Sequence, residues 1–214
     1  MEAQYTPPSA TPPEYPVRYA VDYPDRDLNR VTTGFRLILA IPLLLLLALF
    51  GFGRPGFGGH PLGGVALVLF LPVVALLVLR RKYPRWWFDF NLMLVRLETR
   101  ITSYIFLLRD EYPSVDDEQA VHVEVVYPDA PNELNRWLPL VKWFLAIPHF
   151  IVLFFLDIAA VVVVVIAWFA ILFTGRYPEG MFDFVVGVMR WSLRVTAYAF
   201  LLVTDRYPPF SLAP

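Results

Sequence analysis

The sequence predicts a mainly α-helical membrane protein of two tandem repeats, each a short β-strand, a hydrophobic helical hairpin and an interfacial amphipathic helix. Three observations carry that prediction. Apolar residues make up 57% of the 214 residues, charged residues only 17%, and the mean hydropathy is +0.54; a soluble domain is about 45–50% apolar and needs a polar coat. Long apolar runs occupy Phe35–Phe50, Val65–Leu79 and Trp137–Phe173. Motifs recur in the same order and spacing in the two halves of the chain.

The recurrence is specific. Leu28-Asn29-Arg30 precedes Leu39-Ala40-Ile41-Pro42, and Leu134-Asn135-Arg136 precedes Leu145-Ala146-Ile147-Pro148 at the same interval. Tyr83-Pro84 leads to Phe88-Asp89-Phe90, Arg96, Arg100 and Tyr104, as Tyr177-Pro178 leads to Phe182-Asp183-Phe184, Arg190, Arg194 and Tyr198. Tyr112-Pro113 and Tyr207-Pro208 close the halves. The first copy carries extra residues, placed at Gly51–Pro61. The resulting division is a Pro-rich tail over 1–14 expected to be disordered, a first repeat over 15–114, an acidic linker over 115–119, a second repeat over 120–209 and a tail over 210–214. The opening residues lack the basic start and apolar core of a secretory signal.

Each repeat opens on an alternating run, Val17, Tyr19, Val21 and then Val121, Val123, Val125; period two indicates a half-buried strand. A two-stranded ribbon alone is marginal, so the runs are expected to pair with each other or to pack on the helices. Phe35–Phe50 and Val65–Leu79 each reach about 23 Å as helix, short of a hydrocarbon core of about 30 Å. Trp137–Phe173 would reach about 55 Å as one helix, too long for a single crossing. By analogy with the loop of the first repeat, Asp157 is expected at a tight apex between two helices. Four short membrane helices follow, either crossing or dipping in and returning. Arg26, Arg30 and Arg36 before the first, and Arg80, Arg81, Lys82 and Arg85 after the second, place both termini in the cytoplasm by the positive-inside rule.

The last segment of each repeat is amphipathic. Phe90, Leu94, Leu97, Ile101 and Leu108 recur at helical spacing while Arg96 and Arg100 share another face; Arg190 and Arg194 repeat the pair. As a spanning helix it would hold two arginines in the bilayer at about 2.5–3.5 kcal/mol each. An interfacial helix lets them reach phosphates. Arg96, Arg100, Arg190 and Arg194 are therefore the candidate lipid or partner contacts.

The stretch LAIPHF…AWFAILFTGRYPEGMFDFVVGVMRWSLRVTAYAFLLVTDRYPPF resembles an uncharacterised bacterial membrane-protein family, a domain of unknown function. The second repeat is closer to its pattern; the first has Leu79-Arg80-Arg81-Lys82 where the second has Phe173-Thr174-Gly175-Arg176. The resemblance implies no activity. It implies a bacterial inner-membrane location and, since single-unit members exist, assembly of two units.

Site chemistry is sparse. There is no cysteine, hence no disulfide, thiolate nucleophile or cysteine metal site. Gly51, Gly53 and Gly56 match a dinucleotide fingerprint by letter but follow no strand and open no βαβ unit. His60, His122 and His149 lack metal-ligand spacing. His149 and Asp157 are the ionisable groups deep in the second apolar run, a possible intramembrane polar site. No catalytic residue, metal or cofactor is expected, and a net charge of −1 gives no pull toward nucleic acid. The expected function is a non-enzymatic scaffold or accessory subunit binding membrane lipids or a membrane partner, itself a candidate homo-oligomer or complex subunit. The alternatives are an oligomeric channel or transporter, with a site at the repeat interface, and a lipid-acting enzyme, for which Asp89 and Asp183 are the matching carboxylates.

Overall fold

The computed structural model describes residues 15–24, 27–50, 65–114 and 117–214; the tail over 1–14, the Gly51–Pro61 loop with His60, and Arg26 and Asp116 lie outside the described residues. The chain is mainly helical, with one two-stranded sheet and two helices long and apolar enough to cross a membrane.

The alternating runs form β1 (Val17–Val21) and β2 (Val121–Val125), paired antiparallel with Tyr19 opposite Val123 and Val17 opposite Val125. Val17, Tyr19, Val21, Val121 and Val123 point inward and are buried; Arg18, Ala20, His122 and Glu124 face out. Both expectations for these runs hold, because the ribbon also lies on two helices. β1 packs on α8 (Glu179–Ala199) and β2 on α4 (Arg85–Ile105). The inner face joins Val95, Val185, Val188 and Met189 in one apolar core. The Tyr19 hydroxyl lies 3.0 Å from Ser103 Oγ and donates to Met189 Sδ at 3.3 Å, tying strand to both helices.

Helix α1 (Arg30–Leu39) starts at Asn29, whose Oδ1 accepts from the N–H groups of Val31 and Thr32 at 3.0 and 3.3 Å, satisfying two orphan donors. It gives way at Ala40 to α2 (Ile41–Phe50). Pro42 offers no N–H to the Ile38 carbonyl, which ends the first helix there. Pro148 does the same after the short α6 (Lys142–Leu145), a 3₁₀ turn at Leu138–Leu140 and a single turn of helix, α5, at Ala130–Glu133. Helix α3 (Val65–Arg80) precedes α4.

The hairpin expected for the second half does not form. A single helix, α7 (Ile147–Thr174, 28 residues), runs through Asp157 without a turn, about 42 Å long. Between Pro148 and Gly175 there is no glycine or proline to break it, and one aspartate lowers helix propensity by only a few tenths of a kcal/mol. Asp157 is turned inward and 3% exposed; it marks a buried stripe with His149, Leu153, Ala160, Ala167 and Ile171. The other faces of α7 are open: Phe155, Ile158, Val162, Val165, Phe169 and Phe173 are all at least half exposed. The helix stops at Gly175, whose φ of 82° and N–H to the Ile171 carbonyl at 2.7 Å make a left-handed cap.

Helix α8 packs on α7 and has 14 of its 21 residues buried, against 6 of 28 for α7. The amphipathic helix expected at an interface is thus an inner layer, because the ribbon covers the side that carries its arginines. Trp168 Nε1 donates to the Thr33 carbonyl at 3.1 Å and joins α7 to α1.

Candidate functional site

The sequence singled out four arginines, and three of them hold main-chain carbonyls. The ladder bonds Asp22 N to Ala120 O and Val126 N to Pro16 O put Tyr19 and Val123 in a non-hydrogen-bonded pair, so their carbonyls point away from the ribbon. Arg190 Nε donates to Tyr19 O at 2.9 Å, and Arg96 Nε to Val123 O at 3.3 Å. The guanidinium groups occupy the edges a third and fourth strand would take. Arg190 Nη1 also donates to Leu212 O at 2.8 Å, holding the C-terminal tail, and Arg100 Nη1 donates to Ser114 O at 2.5 Å. Arg194 is 5% exposed and lies 5.9 Å from the Tyr15 ring centre. Arg96 keeps an exposed flank beside Asp89, Met93 and Arg100 over a shallow groove.

His149 and Asp157 are not one site. Eight residues along α7 separate them, about 12 Å. His149 is fully buried, its ring stacked on Phe210 at 4.0 Å, with Tyr207 at 4.7 Å. Its Nδ1 accepts from Trp191 Nε1 at 3.1 Å, which assigns the imidazole proton to Nε2. Asp157 borders a void of about 10 Å³ with Ser192 and Thr196, close to the size of one water. Among the described residues no group of three metal-ligating side chains occurs. Asp89 is exposed in an i,i+4 pair with Arg85 at 3.3 Å, and Asp183 is exposed.

Arg36, read from the sequence as a flanking positive charge, is buried, and so is Lys142. Arg36 is 1% exposed and forms an ion pair with Asp110. Its Nη1 donates to the carbonyls of Tyr104 and Arg109 at 3.1 and 2.9 Å, and its guanidinium lies 4.6 Å from the Tyr104 ring centre. Lys142 is fully buried, with Nζ 2.7 Å from both Asp205 Oδ1 and Thr204 O and 5.2 Å from the Tyr198 ring centre. Each aspartate also accepts a backbone N–H, from Asn29 at 2.7 Å and Asn135 at 2.5 Å. The available signal was spacing: both cations lie six residues after the arginine of Leu-Asn-Arg, and both aspartates two residues before the tyrosine of Tyr-Pro.

The Tyr-Pro tyrosines are structural. Tyr23 donates to the Tyr177 carbonyl and Tyr127 to the Tyr83 carbonyl. Tyr83 and Tyr177 are 4% and 1% exposed, and burial pushes both phenols above the ordinary 10.0, with the hydrogen bond to Asn91 opposing at Tyr83. The folded state therefore binds these protons more tightly than the unfolded chain. This contribution is complete below about pH 10 and is lost as pH rises toward the folded values. Alkaline titration should show the last part of the tyrosinate absorbance, that of the buried phenols, appearing together with loss of helical circular dichroism; ionisation of all tyrosines in a still-folded protein would refute this.

A basic end remains. Arg80 ends α3, and Arg81 and Lys82 follow it, all three on the surface, flanked by Leu79 and Trp86, 72% and 67% exposed. The cleft beside them, about 510 Å³, is lined by Arg81, Lys82, Tyr83, Pro84, Tyr127 and Asp129 among others.

The second half meets a known family. A model of a domain of unknown function, DUF4389, matches residues 137–211. The DUF4389 segment runs from the 3₁₀ turn through α6, α7 and α8 to the tail. It contains the Lys142–Asp205 pair and the aromatic box around His149, and excludes both strands. Comparison with curated proteins and with solved structures finds no match.

Proposed function

We propose that this is an integral protein of the bacterial inner membrane, a non-enzymatic scaffold or accessory subunit whose basic, aromatic rim contacts lipid headgroups or a membrane partner. The observation that carries the proposal is the outer face of α7, an apolar surface about 42 Å long with no charged side chain facing out. Exposed contiguous apolar patches on soluble monomers rarely exceed a few hundred Å². In water this face would drive aggregation, whereas hydrocarbon solvates it. The ribbon turns Arg18, His122 and Glu124 outward and so belongs on the aqueous side. Arg80, Arg81, Lys82 and Trp86 suit the cytoplasmic headgroup layer.

The chain is further read as two copies of one unit. Pairs at matching spacing support this: Arg36–Asp110 with Lys142–Asp205, Arg96–Val123 with Arg190–Tyr19, and Tyr23–Tyr177 with Tyr127–Tyr83. Leu107 and Leu202 both have positive φ, 65° and 58°, at the ends of α4 and α8. The strand of each copy lies on the helix of the other, so the copies are related as in a two-fold dimer. Alkaline carbonate extraction of membranes from cells expressing the full chain tests the proposal. The protein is expected in the pellet until detergent is added; recovery as a monomer in the aqueous supernatant would overturn it.

A further inference from the structure

The two copies differ most in charge where the apolar helices end. In the second, α7 ends in Thr174-Gly175-Arg176, Arg176 Nε is 2.9 Å from Asp27 Oδ1, and Glu179 opens α8. In the first, α3 ends in Arg80-Arg81-Lys82, and Arg85 opens α4. Arg85 is occupied, 3.3 Å from Asp89 and 4.7 Å from the Tyr127 ring centre. The side chains of Arg80, Arg81 and Lys82 have no hydrogen-bond or ion-pair partner among the described residues.

Backbone geometry sharpens the difference. Arg81 has φ 51°, and its N–H reaches the Leu77 carbonyl at 3.1 Å. That is the same left-handed cap Gly175 makes after α7. Only glycine adopts this conformation without steric penalty. The first copy thus keeps an arginine where the fold favours glycine, and a residue held against a local preference points to a role for its side chain. That side chain opens on the cleft with Lys82 and Tyr127. Asp129, the acid in the lining, has its carboxylate engaged by Asn132 Nδ2 at 2.7 Å.

Resting on the membrane reading above, we infer that Arg81 and Lys82 form a binding site for the phosphate of an anionic phospholipid headgroup, with Arg80 beside it and the acyl chains along the exposed side of α3. Leu71 and Leu79 on that side are 52% and 72% exposed. The site exists in the first copy alone.

The test uses the full-length chain in neutral detergent, with phosphatidylglycerol and phosphatidylcholine as probes and native mass spectrometry to count retained lipid. Phosphatidylglycerol should be retained in preference. Arg81→Gly with Lys82→Gln should reduce its retention on the order of tenfold, while Arg18→Gln on the outer face of the ribbon should not. Arg81→Gly alone should raise Tm by about 2–4 °C, because it restores glycine to a left-handed cap. Arg80→Gln with Lys82→Gln, which leaves the cap untouched, should also weaken retention. Undiminished retention in either double variant, an equal drop in Arg18→Gln, or a lower Tm for Arg81→Gly would overturn the inference. Competition by inorganic phosphate as strong as by the lipid would assign the site to free phosphate and overturn the lipid. A chain that stays in the carbonate pellet without this lipid preference refutes the site alone, whereas a water-soluble chain refutes the membrane reading as well.

Discussion

Asp205→Ala is expected to cost about 3–5 kcal/mol, the penalty for leaving one partner of a buried ion pair uncompensated. Lys142 is fully buried and its ammonium has three recorded neighbours: Asp205, the Thr204 carbonyl and the Tyr198 ring. Burial pulls the lysine pKa below 10.5, and the bond to Asp205 opposes that pull. Without Asp205 only the lowering remains, so the unfolded chain binds the proton more tightly. The variant should be least stable at low pH and recover as pH rises toward 10.5. A domain has about 5–15 kcal/mol in total, so thermal unfolding in detergent should show a large fall in Tm. Replacing both partners, Lys142→Leu with Asp205→Leu, should return most of the loss, since neither charge is then desolvated. A Tm for Asp205→Ala equal to that of the parent would mean that the pair is hydrated and contributes little, as exposed pairs do.

The second large effect belongs to the bare face of α7. Val162 lies near the middle of the helix and is 54% exposed. In hydrocarbon an arginine there costs about 2.5–3.5 kcal/mol on insertion scales; in water a surface substitution of this kind stays within about 0.5 kcal/mol. Val162→Arg is therefore expected to reduce the carbonate-resistant fraction of the protein several-fold. Ala160→Arg, on the buried stripe, should fail in either solvent and controls for packing. Unchanged membrane retention in Val162→Arg would show that protein or water covers this face.

Local pattern sufficed for much of the fold. The alternation of Val17, Tyr19 and Val21 with Arg18 and Ala20 places a strand because the pleat imposes period two. A missing N–H is a local fact, yet the reading of Phe35–Phe50 as one helix ran through Pro42, where the structure breaks it between Leu39 and Ile41. The likeness to a domain of unknown function was readable from short motifs in the second half, where DUF4389 matches residues 137–211. Asp157 was misplaced for an instructive reason. The loop of one half was carried over to the other, although the segment between Pro148 and Gly175 has no glycine or proline with which to turn. A buried aspartate in a continuous helix looks the same in sequence as one at an apex until its neighbours are known.

The arginines mark the boundary between the two kinds of information. Their spacing on α4 and α8 follows from the helical repeat and was visible in the letters. Whether a guanidinium reaches a phosphate or a carbonyl depends on what lies across from it, and Tyr19 is 171 residues from Arg190 along the chain. The ribbon pairs β1 with β2, carries each strand to the helix of the opposite half, and leaves its outward carbonyls for those arginines. Composition and periodicity determined which segments are helix, strand and greasy surface, because those follow from residues a few positions apart. Partnership among charges was decided by the tertiary structure alone, because the energy of a buried charge is set by groups brought together from distant parts of the chain.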